Sequence, residues 1–133
     1  FKDGKFDYGK TGPTFAEGLD CEGFTLKALA KAWKEAELKS EREHATLYFY
    51  NHPEIFKTLI LANKTDDSRY RLSVDEKRDF EVVTAVFEHF KQKGKTHFFI
   101  DEVKTFLDTD SHILQLNAGI VRNEGLMKSL KDD

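Results

Sequence analysis

Two acidic positions carry the residue types and spacing from which chemistry could be built. Asp75 closes the alternating run Tyr70-Arg71-Leu72-Ser73-Val74 and directly precedes a helical pattern. In an open α/β sheet that is the carboxyl end of a strand, where ligand crevices form. A hard cation such as Mg²⁺ needs only one or two protein carboxylates when substrate phosphates complete its shell, so Asp75 could be half of a metal site. The same side chain could equally cap the helix that follows. The second position is Glu17-Gly18-Leu19-Asp20-Cys21-Glu22-Gly23-Phe24. Asp20 and Glu22, two apart, point the same way if the segment is extended, although a turn Asp beside a surface Glu is the simpler account.

Other chemistries find no support in the spacing. The histidines, His44, His52, His89, His97 and His112, are scattered and form no H-x-x-x-H pair, which argues against zinc hydrolysis. No G-x-S-x-G elbow and no glycine-rich phosphate loop occurs. The single cysteine, Cys21, has no catalytic partner by spacing and allows no internal disulfide, so a reducing compartment, the cytoplasm, is expected.

The elements that must position these residues can be read from periodicity. Thr25 is a candidate N-cap for a helix with Leu26, Leu29, Ala30 and Trp33 as its apolar face. Lys27, Lys31 and Lys34 form a second stripe, read as a solvated surface. A second helix is expected over 40–50, opened by the S-x-x-E box of Ser40 and Glu43 and stopped at Asn51-His52-Pro53. Strands are expected over 55–62 and 69–74, with the turn-forming run 63–68 between them. The clearest helix runs from Glu76 to about Gln92, with Phe80, Val83, Phe87 and Phe90 as its stripe and Gly94 beyond its end. Shorter helices are expected over 101–107, over 111–116 and from Asn123 or Glu124 to the C-terminus. A strand feeding a helix among mixed elements favours an α/β or α+β class.

Composition bounds the rest. The chain has 133 residues, 39% hydrophobic and 34% charged, with 12 Phe, enough for one folded domain with a core. Lysine and arginine number 21 against 24 acidic residues, a formal charge of -3, so no broad field draws in nucleic acid or an anionic membrane. No apolar run approaches the roughly 18 residues of a membrane-spanning helix. The chain starts at Phe1 and carries Gly4, Gly9, Gly12, Gly18 and Gly23 near its beginning, as expected of an irregular segment belonging to a larger domain.

Four short motifs in order add a family resemblance. They are Gly18-Leu19-Asp20-Cys21-Glu22-Gly23-Phe24; Glu41-Arg42-Glu43-His44; Tyr70-Arg71-Leu72-Ser73-Val74-Asp75 leading to Asp79-Phe80-Glu81; and Asn117-Ala118 with Arg122-Asn123-Glu124-Gly125 and Lys128-Ser129-Leu130. Together they resemble the C-terminal half of the cytidylyltransferases typified by spore coat polysaccharide biosynthesis protein F, relatives of the CMP-ketodeoxyoctonate and CMP-sialic acid synthetases. The resemblance implies the C-terminal portion of a Rossmann-like nucleotidyltransferase domain over 1–133, with the nucleotide-binding half upstream and missing. It implies that a sugar or sugar-acid oxygen attacks the α-phosphorus of CTP, that pyrophosphate leaves, and that a CMP-activated sugar results for a polysaccharide or glycan. It further implies a homodimer, and Mg²⁺ held by Asp75 at the position of the Asp in the family's Val-Asp-Thr-Pro-Glu-Asp type run. Asp20 and Glu22 would line the sugar side of the pocket, with Arg42, Glu43 and His44 nearby. Two departures stand out: Glu76-Lys77-Arg78 replaces the usual Thr-Pro-Glu, and Gly23 stands where a β-branched residue is usual. The alternative is a binding or oligomerisation module that kept the surface and lost catalysis.

Overall fold

A computed structural model of the chain describes residues 3–122 together with Met127, Leu130 and Lys131. Among the described residues the elements are β1 (Tyr8–Thr11), β2 (Glu22–Phe24), α1 (Leu26–Glu35), α2 (Lys39–Glu43), α3 (Leu47–Asn51), β3 (Thr58–Leu61), α4 (Lys77–Gln92), α5 (Ile100–Thr109) and α6 (Ser111–Gln115). The class is mixed α/β, as expected. The chain gathers into two compact units, one of Phe1–Gly12, Cys21–Ala62 and Val121–Asp133, the other of Pro13–Asp20 and Asn63–Ile120. The helix expected from Asn123 or Glu124 onward lies outside the described residues.

The first unit holds a three-stranded sheet in the order β2-β1-β3. β1 runs antiparallel to β2, with Tyr8 opposite Phe24 and Lys10 opposite Glu22, and parallel to β3, with Tyr8 opposite Thr58. A parallel pair needs a long crossover, and α1 to α3 supply it. Tyr8, Ala28, Ala32, Tyr48, Phe49 and Phe56 build the core, where Tyr8 stacks on Phe49 with centroids 4.8 Å apart. β3 falls within the strand expected over 55–62.

Two expectations in this unit are corrected. Thr25 does cap α1, its hydroxyl accepting from the Ala28 amide at 3.1 Å, but the buried face is Ala28 and Ala32, continued by Ala36. Leu26 is 82% exposed and Trp33 73%. Two regular stripes compete on this helix, and the alanine stripe is the one that joins Tyr8, Tyr48, Phe49 and Phe56 in the core; spacing alone does not say which stripe turns inward. The helix expected over 40–50 is two helices, broken at His44, whose backbone is extended (φ -104°, ψ 97°). Leu38, not Ser40, takes the N-cap position, and Ser40 is fully buried inside α2. The break turns α3 back on α2, so that Asn51 Nδ2 donates to the buried Glu41 carboxylate at 2.8 Å.

In the second unit the loop 63–68 is held by its own polar side chains, with Asn63 donating to Asp67 at 3.0 Å and the Ser68 amide to Asp66 at 3.0 Å. The strand expected over 69–74 does not form. Only one parallel bridge, Glu17 with Arg71, is made, through Glu17 N–H to the Tyr70 carbonyl at 3.0 Å and Leu72 N–H to the Glu17 carbonyl at 2.8 Å. The next residue, Gly18, has φ +90° and packs so tightly that a Cβ there would lie 2.5 Å from the Ser73 amide nitrogen. The partner chain segment turns away at that point, and the ladder stops.

α4 begins and ends as expected, with Glu76 at its N-cap and Gly94 (φ +69°) beyond it. Its buried stripe is Asp79, Val82, Val86 and Phe90, so of the expected stripe only Phe90 is buried. Phe80 is 62% exposed and Phe87 60%. The true stripe starts on an aspartate, which a search for apolar periodicity passes over. With Ala16, Tyr70, Val103 and Leu107, the apolar members of that stripe form the second core. α5 and α6 match the expected helices, and Asp110 caps α6 by accepting from the Ile113 amide at 3.2 Å. No helix among the described residues is long and apolar enough to cross a membrane.

Candidate functional site

A buried polar centre of the second unit is built around Arg71, ahead of α4. Its guanidinium grips Asp79 with two bonds, Nε to Oδ1 at 2.9 Å and Nη2 to Oδ2 at 3.0 Å. Nη1 donates to Glu17 and Nη2 to Asp75 Oδ2 at 2.8 Å. Arg71 is buried and Asp79 fully so. Asp79 also accepts from Asn117 Nδ2 at 2.8 Å and from the backbone amides of Asp75 at 3.1 Å and Glu76 at 3.0 Å. Asn117 reaches back to the Arg71 carbonyl at 3.0 Å. The bonds from Arg71, helped by Asn117 and the two amides, hold the Asp79 carboxyl well below the usual carboxylate range despite its burial. The same pairing raises the Arg71 guanidinium above its ordinary value against the effect of burial.

These bonds divide labour between two neighbouring carboxylates. Both oxygens of Asp79 are consumed within the protein, so Asp79 ties the start of α4 to the segment that precedes it and is closed to a ligand. Asp75 is 67% exposed and uses only Oδ2, toward Arg71. It does not cap α4: Glu76 occupies the cap position, and Asp79 reaches back to the Asp75 and Glu76 amides just ahead of the first turn. The strand-end setting expected for Asp75 is corrected too, since no strand precedes it. Three carboxylates, Glu17, Asp75 and Asp79, surround one guanidinium, so the cluster is formally negative. Two residues upstream of Asp75, the buried Ser73 hydroxyl has no hydrogen-bond partner among the described residues. An excess of negative charge and an exposed carboxylate oxygen suit a hard cation that draws its remaining ligands from phosphate and water. No group of three His, Cys, Asp or Glu side chains among the described residues is arranged to hold a metal by protein ligands alone.

Glu22 lies on β2 in the first unit, where it is fixed from several sides. The hydroxyls of Tyr8 and Tyr50 both donate to its Oε1, and Lys10 Nζ lies 3.7 Å from the centre of the Tyr50 ring. Burial pushes the Glu22 carboxyl up, but the bonds from Tyr50, Tyr8 and Thr46 and the charge of Lys10 outweigh it, and the net shift is down. Burial and the bond to Glu22 raise the Tyr8 hydroxyl, and burial lowers Lys10. Asp20 is exposed and belongs to the second unit, the division falling between it and Cys21. In the first unit, Arg42 donates from Nη1 to the Trp33 carbonyl at 2.8 Å. Glu43 is exposed at the end of α2, and His44 is half-buried beyond it.

Of the site residues named from sequence, Asp75 is thus gathered with Arg71, Asp79 and Glu17, and Glu22 with Tyr8, Tyr50 and Lys10. Arg71, Asp79 and Asn117 stand in the motifs that carry the family resemblance, but nothing local assigns them a role: by periodicity Asp79, four residues after Asp75 within a helix, reads as surface charge, and Asn117 is 46 residues from the carbonyl it meets.

No family model matches the chain. Over 117 residues it is 35% identical to an uncharacterized protein of Methanocaldococcus jannaschii, a match covering 86% of this chain and 46% of that protein. Among solved structures it superposes on a cytidylyltransferase from Leptospira borgpetersenii serovar Hardjo-bovis with a TM-score of 0.77 and 30% identity, covering 90% of this chain and 49% of the other. The chain spans about half the length of each protein it matches. Its fold is therefore one that it shares with about half of a solved cytidylyltransferase.

Proposed function

We propose that this chain is part of a nucleotidyltransferase that joins CMP from CTP to a sugar or sugar acid, releasing pyrophosphate, for polysaccharide or glycan synthesis in the cytoplasm. The observation that carries the proposal is the likeness to a cytidylyltransferase over 90% of the chain, with Asp75 exposed beside a locked Arg71–Asp79 pair.

In this reading Asp75 holds Mg²⁺, and the ion when bound offsets the charge of the triphosphate. Asp79 and Arg71 keep Asp75 in place at the entrance to α4. Without the Arg71 bond the exposed side chain would sample several rotamers and lose orientation on each encounter. Glu22, oriented by two tyrosine hydroxyls, accepts hydrogen bonds from sugar hydroxyls, and the family resemblance makes Asp20 a further sugar-side candidate. Arg42, Glu43 and His44 line the approach. The remaining length of the related enzymes would supply the triphosphate cradle, and two copies would pair.

The test is pyrophosphate release by the full-length enzyme from CTP with a panel of sugars and sugar acids. Asp75→Asn is expected to lower Mg²⁺-dependent turnover by about two orders of magnitude, a loss of about 2.7 kcal/mol of transition-state stabilisation. Unchanged turnover removes the metal assignment. Absence of pyrophosphate release with every acceptor of the panel, combined with sugar binding, would favour the non-catalytic module.

A further inference from the structure

The outward faces of α1 and α4 carry matched apolar residues with opposite charges at the same two offsets, α4 bearing Lys77 and Lys91 at the two ends of its stripe as well. On α1, Leu26, Ala30 and Trp33 stand at positions x, x+4 and x+7 and are all exposed, with Lys27 and Lys34 at x+1 and x+8. On α4, Phe80, Thr84 and Phe87 stand at x, x+4 and x+7, with Glu81 and Glu88 at x+1 and x+8. The buried residues also coincide, Ala28 and Ala32 on one helix and Val82 and Val86 on the other, both at x+2 and x+6. None of the four flanking charges forms an ion pair with a described residue. Beside Phe80 and Phe87 lies a groove of about 580 Å³, lined by Val83, Thr84 and Phe98 and edged by Glu88, Lys91, Lys95 and Thr96.

From this match we infer that α1 of one copy docks antiparallel on α4 of a second copy, Trp33 entering the α4 groove beside Phe80 and Leu26 covering Phe87. The direction follows from helix geometry. Residues offset from a stripe by the same rotation meet on one edge only when the two helices run oppositely. Antiparallel packing brings Lys27 beside Glu88 and Lys34 beside Glu81, whereas parallel packing puts lysines and glutamates on opposite edges. Pairing of like helices is disfavoured: α1 antiparallel to α1 sets Lys27 against Lys34, and α4 against α4 sets Glu81 against Glu88. A large exposed aromatic entering a pocket, rimmed by charge, is the anatomy of an interface centre. Two such contacts made reciprocally close a two-fold dimer, and one made repeatedly gives an open chain. The inference rests on the self-association in the proposed function and names its surface, but it does not depend on nucleotidyl transfer.

Charge exchange tests it in the full chain by sedimentation velocity. The Lys27→Glu/Lys34→Glu variant and the Glu81→Lys/Glu88→Lys variant should each self-associate at least about tenfold more weakly than the wild type. Mixed one to one, they should recover wild-type association, because each acidic α1 then meets a basic α4 and each basic α1 an acidic α4. Trp33, the single tryptophan, should shift its emission to shorter wavelength on mixing. A variant carrying all four exchanges should associate by itself, which guards against misfolding of either pair alone. A monomeric wild type at high concentration overturns both this surface and the self-association in the proposed function. Association insensitive to all four charges overturns the surface alone and leaves the dimer, and loss of turnover with intact complementation separates the nucleotidyl reading from both.

Discussion

Removing Asp79 tests the centre on which the second unit is organised. Asp79→Ala leaves Arg71 buried with only Glu17 and Asp75 to answer it, and deprives the Asn117 amide and the Asp75 and Glu76 backbone amides of their acceptor. Breaking a buried ion pair from one side costs about 3–5 kcal/mol, a large share of the roughly 5–15 kcal/mol that stabilises a typical domain. Asp79→Asn keeps the shape and one acceptor oxygen, and should cost less, about 1–3 kcal/mol. Asp75→Asn, at a carboxylate two-thirds exposed, should fall within about 1 kcal/mol of the wild type. Urea unfolding followed by far-ultraviolet circular dichroism at pH 7 measures all three, the midpoint being comparable where the slope is unchanged. The Asp79 carboxyl is depressed in the folded state, so the unfolded chain takes up its proton at a higher pH than the folded chain. Its stabilisation is complete above the unfolded carboxyl pKa, about 4, and is lost as the pH falls from there toward the folded value. The acid limb of the stability profile should therefore be shallower in Asp79→Asn. An alanine variant no less stable than Asp75→Asn, or an unaltered acid limb, would refute the reasoning.

The other expectations concern glycine, the helix faces and the metal. Gly18→Ala should destabilise by more than about 1 kcal/mol, since φ +90° and the Ser73 backbone both oppose a Cβ; an unchanged unfolding midpoint would contradict the packing described. Phe90→Ala, in the core and stacked on Phe98 at 4.2 Å, should cost about 3–5 kcal/mol. Phe87→Ser, on the exposed face with an edge-on contact to Phe98 at 5.4 Å, should cost no more than about 1.5 kcal/mol. Equal losses at Phe87 and Phe90 would restore the stripe expected from periodicity. Asp75→Asn, nearly neutral for folding, should nonetheless lose Mg²⁺-dependent turnover, and parallel loss of both would make its role structural.

Local chemistry was legible wherever a residue acts on its near neighbours. Thr25 reaches an amide three residues on, Gly94 follows the last turn of α4 because it takes a positive φ readily, and the Asx residues of 63–68 fold that loop on themselves. The start of α1, the extents of α4, α5 and α6, and the mixed class could therefore be placed from sequence. What could not be placed depends on partners distant in the chain. Whether Leu26 or Ala28 turns inward is decided by the aromatic cluster of Tyr8, Tyr48, Phe49 and Phe56 that the alanines join. The segment 69–74 is no strand because Gly18, more than fifty residues earlier, bends the neighbouring segment away after one bridge. Asp79 is a core residue only because Arg71 and Asn117 converge on it. A buried charge is tolerable only with such partners in place, so tertiary structure alone separated the aspartate that is locked inside from the one left open to solvent.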